Sequence, residues 1–200
     1  MQRKKPGFTL IEMMVVIAII SILAALAVPN FLQLEGRAKQ VEAKTNLRSL
    51  YNLEKAYYAG NNTFSTSVAR IGFNLERSNR YQYNLNSTST LDDRTGPTTV
   101  TTLTTDGIMA DAFRGFNLGI GPSAAAPVTA SVCGGATVFG LSNSVNGDQV
   151  FTGAAQGNID NDSTLDLWTI STAGRSLTSC DASGASPAGE PANESNDLLR

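Results

Sequence analysis

Two hundred residues, 42% of them hydrophobic, with a formal net charge of −2, make room for one domain and an appendage. The chain has no histidine, which removes His-based acid–base catalysis, Ser-His-Asp and Cys-His nucleophile systems and the usual zinc sites. No basic patch with interleaved aromatic residues and no recognition motif points to nucleic acid.

The apolar residues are concentrated at the start. After a leader carrying Arg3, Lys4 and Lys5, the stretch from Phe8 to Val28 is interrupted only by Thr9, Glu12 and Ser21. As a helix it is about 30 Å long, the thickness of a bilayer's hydrocarbon core. A secretory signal has a shorter apolar region of about 7–15 residues with its cleavage site behind it. Here the apolar run is too long, and the natural processing point lies in front of it, between Gly7 and Phe8. The basic leader keeps that end cytoplasmic and sends the body outside. Loss of the three basic residues takes the formal charge from −2 to −5, so the mature body is acidic.

Glu12 is the anomaly in this stretch. A carboxylate deep in lipid costs about 2.5–3.5 kcal/mol on insertion scales. One reading lets it snorkel to the interface near the positive end of the helix dipole. The reading that also explains its presence begins with cleavage, which frees the amine of Phe8. The amine of one copy then pairs with Glu12 of its neighbour inside an apolar filament core and fixes register.

The run Gly7-Phe8-Thr9-Leu10-Ile11-Glu12, behind a basic leader and ahead of about twenty apolar residues, resembles the class III signal of type IV pilins and of the related type II secretion pseudopilins. The resemblance covers Lys4 to Tyr58. It implies that prepilin peptidase cleaves between Gly7 and Phe8 and N-methylates Phe8, and that Glu12 guides docking of the subunit. It also implies that the helix leaves the inner membrane, through the pilus assembly platform there, to become the core of an extracellular homopolymer. Pro29 matches the pattern and predicts a kink. Ser21 stands where many relatives have a helix-weakening glycine.

Residues 29–59 continue as an amphipathic helix with Leu47, Leu50, Leu53 and Tyr57 on one stripe, and Gly60-Asn61-Asn62 stops it. Glu35–Lys39 and Lys39–Glu42 are expected side-chain pairs. Residues 60–182 read as a β-rich head. A loop-like Thr63–Arg80 is followed by strand-like runs at Tyr81–Leu85, Val100–Thr105, Thr137–Leu141, Val150–Ala155 and Leu167–Thr172, separated by turns such as Asn146-Gly147-Asp148. The expected fold is α+β, with an antiparallel sheet packed on the second half of the helix. Ser183 to Asn196 is rich in Ser, Ala, Gly, Pro, Asn and Glu, and 183–200 is expected to be a flexible tail.

Cys133 and Cys180 stand farther apart than a metal pair normally does and, in an exported body, read as a disulfide worth about 4 kcal/mol in the loop-entropy model, the alternative being two unpaired buried thiols. Asp160, Asp162 and Asp166 bring hard oxygen ligands close together, as calcium requires, although the EF-hand glycine and terminal glutamate are missing. The plainer reading, which we favour, is an Asp/Asn turn bonding its own backbone; no other cofactor is expected. The functional expectation is a structural subunit of a type IV pilus serving motility or adhesion. The alternatives are a type II secretion pseudopilin and, further behind, a membrane-anchored periplasmic binding protein or enzyme. The chain has no nucleophile elbow, P-loop or dinucleotide fingerprint to support the last.

Overall fold

The computed structural model describes residues 7–86, 90–98, 101–116, 139–143, 147–159, 164–177 and 184–197. A single helix, α1 (Leu10–Asn61), supplies 52 residues, about 78 Å of rod. It passes through Pro29 without a break in its assignment and ends on Asn62, whose left-handed backbone (φ 54°) lets its N–H reach the Tyr58 carbonyl. The short helix α2 (Val68–Ile71) follows, and then the strands begin.

The main sheet is built from β1 (Gln82–Asn84), β2 (Leu91–Asp92), β3 (Gly107–Ile108), β4 (Gly140–Asn143), β5 (Gln149–Gly157), β6 (Asp166–Ser171) and β9 (Ala192–Ser195). Its spatial order is β2-β3-β1-β5-β6-β9, with β4 paired to β5 beside β1. The strands β7 (Arg175–Ser176) and β8 (Ala185–Ser186) form a separate hairpin-like pair. The expected α+β class is what the chain adopts. The sheet is mixed rather than wholly antiparallel, because β2 runs parallel to β3.

The second half of α1 lies on this sheet. Its buried positions are Gly36, Gln40, Ala43, Leu47, Leu50 and Glu54. Their alternating spacing of four and three keeps one face toward the sheet. Leu47 and Leu50 pack with Tyr81, Tyr83, Phe151, Ala155, Trp168 and Ile170. Each leucine so buried contributes about 1.5–3 kcal/mol. Two strand glycines set the distance of approach. A Cβ on Gly153 would lie 2.8 Å from Leu50 Cδ2, and one on Gly157 2.7 Å from the Tyr81 ring.

Four expectations change. The apolar stripe is narrower than its leucines suggested, since Leu53 and Tyr57 are only half-buried and two of the six buried positions are polar. Lys39 binds Glu35 (3.1 Å) and the Ile159 carbonyl (2.9 Å). Glu42 instead accepts the Arg80 N–H at 2.9 Å. Thr101–Thr105 is not a strand, because threonine hydroxyls bond locally. Thr105 Oγ1 accepts the Thr102 N–H at 2.9 Å and closes a turn, so pairing starts only at Gly107.

The fourth change concerns the segment expected to be a flexible tail. Its described residues, 184–197, contain β8 and β9, and β9 pairs antiparallel with β6. The composition misled because several of the polar side chains find partners inside. The Thr169 hydroxyl donates to Glu194 Oε1 (2.7 Å), Arg175 Nη1 pairs with the same oxygen (3.3 Å), and the Ile159 N–H donates to Asp197 (3.0 Å). Such bonds remove the desolvation cost that would otherwise keep these groups in water.

Candidate functional site

The rod begins with a cap. Thr9 has extended backbone and sits at the N-cap of α1. Its hydroxyl accepts the Glu12 N–H at 3.3 Å, and Glu12 Oε2 accepts both the Thr9 N–H and the Thr9 hydroxyl at 2.8 Å. This reciprocal arrangement satisfies helix-end donors that lipid cannot. Both bonds to the carboxylate fall on Oε2; Oε1 accepts none among the described residues. Thr9-x-x-Glu12 is a capping-box pattern legible in the sequence, which neither the snorkelling nor the paired-charge reading of Glu12 uses.

Beyond the cap the rod is bare. Phe8 is 76% exposed, and from Leu10 to Leu34 every large apolar side chain, Leu26 and Phe31 included, faces outward. The helix is long and apolar enough to cross a membrane, and none of that apolar stretch is buried within the subunit. Polar side chains within it turn back on the backbone: the Ser21 hydroxyl donates to the Ile17 carbonyl (2.7 Å) and Asn30 to that of Leu26 (3.0 Å). Pro29 removes the bond that the Ala25 carbonyl would otherwise accept. Burial starts abruptly at Gly36.

One carboxylate of the head takes part in gripping the other half of the rod. Asp166, on β6, accepts from Gln40 of α1 (3.1 Å), the Tyr81 hydroxyl (2.7 Å), Trp168 Nε1 (2.5 Å) and Asn193 of β9 (2.9 Å). Burial pushes its pKa up, against those four donors, which lower it. This residue was expected either in a solvated turn or as a calcium ligand. It is fully buried, and its oxygens join the helix, Tyr81 just ahead of β1, β6 and β9. Its two companions Asp160 and Asp162 lie outside the described residues, as do Cys133 and Cys180. No group of three or more potential metal ligands occurs among the described residues.

A second buried acid lies on the rod itself. Glu54 is fully buried, accepts the Ser65 N–H at 3.2 Å through Oε2, and has no partner for Oε1 among the described residues. Desolvation pushes its pKa to about 8. Its position continues the buried series, so only the face assignment, not the residue type, could have revealed it.

A rod that is apolar on all sides over one half and clasped by a head over the other is the architecture of a subunit that can be anchored in a membrane by its rod. Residues 34–166 match the family model described as type IV pilin PilA, and residues 2–28 match the prokaryotic N-terminal methylation motif. The chain is 36% identical to the type IV major pilin protein PilA of Myxococcus xanthus, an alignment spanning 96% of this chain and 92% of that one. It is 38% identical to the type IV wide pilus major component PilA4 of Thermus thermophilus over 34% of this chain and 53% of that one. It is 41% identical to the type II secretion system core protein G of Aeromonas hydrophila over 33% of this chain and 46% of that one. The chain belongs to the type IV pilin family. It is a structural subunit rather than an enzyme, anchored in the membrane as a precursor and assembled into an extracellular pilus.

Proposed function

We propose that this chain is the major subunit of a type IV pilus that serves surface motility and adhesion. Prepilin peptidase removes residues 1–7 between Gly7 and Phe8 and methylates the new amine of Phe8. The inner-membrane assembly platform then lifts the subunit into a homopolymer. The observation that carries the reading is the similarity to a major pilin across nearly the whole chain, against about a third of the chain for secretion pseudopilins.

The cap refines how Glu12 works. In the membrane its Oε2 serves Thr9, which keeps the carboxylate at the helix end. Its other oxygen accepts the Phe8 ammonium of an incoming copy, so docking adds a charged hydrogen bond without breaking the cap. Filaments sheared from cells and analysed by mass spectrometry test the proposal. The expected main component starts at N-methyl-Phe8. A chain still carrying Met1, or one found only in short periplasmic fibres, refutes it. Glu12→Val is expected to be cleaved normally and to yield few or no filaments; normal yield overturns the pairing.

A further inference from the structure

The head-borne half of α1 carries a row of cations that joins none of the subunit's ion pairs among the described residues. Arg37, Lys44, Arg48 and Lys55 are spaced seven, four and seven residues apart. At about 100° per residue all four fall within about 40° of one another, in a line about 27 Å long. This line lies on a flank of the helix beside the buried face, toward β6, where Lys44 Nζ sits 4.6 Å from the centre of the Trp168 ring. Arg37, Arg48 and Lys55 are exposed and Lys44 is half-buried. None of the four takes part in any of the subunit's ion pairs among the described residues. Glu35 and Glu42, the carboxylates of this stretch that reach its surface, sit on the far flank, where they bind Lys39 and the Arg80 N–H.

The rest of the chain has the opposite sign. Beyond Asn61 there is no lysine, and seven arginines face thirteen carboxylates, a formal charge of −6. Several of the acids are exposed, including Glu76, Asp93, Asp148 and Glu190.

We propose that this basic row is an interface for the acidic head of a second copy of the chain in the filament. The inference rests on the pilus reading above. The row is continuous with the surface that polymerisation must cover. The outward apolar half runs to Leu34, and the first cation stands three residues further along the same rod. Copies that bury residues 8–34 against each other therefore bring a neighbouring head alongside residues 37–55. Joining a basic flank on one copy to an acidic surface on the next is a heterologous contact, which builds an open helical polymer when its rotation does not close into a ring. Such contacts fix register and exclude wrong alignments, since like charges brought together cost several kcal/mol.

The test uses the full-length chain in cells, comparing Arg48→Glu/Lys55→Glu with Arg48→Lys/Lys55→Arg. Sheared filaments are quantified by immunoblot and electron microscopy. The charge-reversed pair is expected to lower filament yield about tenfold or more, by like-charge repulsion, while the pool of subunit cleaved at Phe8 stays at its normal level. The conservative pair is expected to assemble as wild type does. Thermal denaturation of the detergent-solubilised variants checks that the exposed substitutions leave the head folded, and Arg37→Gln/Arg48→Gln supplies a milder neutral pair. Wild-type yield from the charge-reversed chain overturns the proposal. So does a variant that assembles normally but loses retention on a heparin column, because the row then serves a soluble polyanion. If wild-type cells produce no filaments, the pilus reading itself fails and takes this one with it.

Discussion

Glu54 makes the head's stability depend on pH in a direction opposite to that of most carboxylates. Its ordinary pKa of 4.5 is raised to about 8 by desolvation, with the Ser65 N–H only partly offsetting this. The folded chain thus holds a proton that the unfolded chain releases above pH 4.5. Where the native state binds the extra proton, stability falls as pH rises. The penalty is absent below about 4.5, grows by about 1.4 kcal/mol per pH unit, and levels off above about 8. Between pH 5.5 and 7.5 this one site withdraws about 2–3 kcal/mol, or about 5–10 °C of Tm for a chain of this size. Glu54→Gln keeps the shape, offers an oxygen to Ser65 and cannot ionise. Thermal denaturation of the full-length chain in detergent, followed by circular dichroism across this pH range, should show the wild type losing that amount relative to the variant. Burial also raises the pKa values of Glu42, Asp106 and Asp166, but these groups tilt both curves alike. Parallel curves for the two chains would refute the reasoning.

Asp166→Ala strands four donors from four different segments and is expected to cost about 3–5 kcal/mol; Asp166→Asn, which keeps one acceptor oxygen, should cost less in the same melt. Gly153→Val drives a side chain into Leu50 Cδ2, already 2.8 Å from the site of its Cβ, and is expected to lower stability by about 1–3 kcal/mol through overpacking. Pairing it with Leu50→Ala, which alone costs about 2–5 kcal/mol, should recover part of the loss, and strict additivity of the two would show that they do not meet.

The residues whose chemistry is local were the most legible in the sequence. The bare apolar run, its length, Gly7-Phe8 and Glu12 announce themselves because a membrane imposes one rule on every position. The helix stop at Gly60–Asn62 and the strands at 149–157 and 166–171 follow from turn chemistry and β-branched runs, and the structure places them close to where they were expected. What stayed hidden depends on contacts distant in sequence. Nothing around Asp166 tells that Gln40, 126 residues earlier, points an amide at it. Likewise β9 looks like a solvated tail until Asn193 and Glu194 are seen to bond β6, Asp166 and Arg175. A head whose interior is held by polar bonds cannot be recognised from hydrophobic periodicity, since its strands carry Thr, Ser, Asn and Gln where apolar residues are usually sought.

The polar interior also explains how one helix can serve two environments. Its first half must be indifferent to which apolar neighbour surrounds it, lipid or another copy, so it carries interchangeable aliphatic side chains on every side. Its second half must hold a single orientation. Apolar contact alone, being non-directional, would let the rod rotate or slip against the sheet. Gln40 on Asp166, Asn46 on the Tyr83 hydroxyl (2.9 Å) and Glu42 on the Arg80 N–H are directional, and they lie within two turns of helix immediately after the bare region ends. They fix the rod's rotation against the sheet at the point where it leaves the head, and with it the direction in which the neighbouring basic row faces.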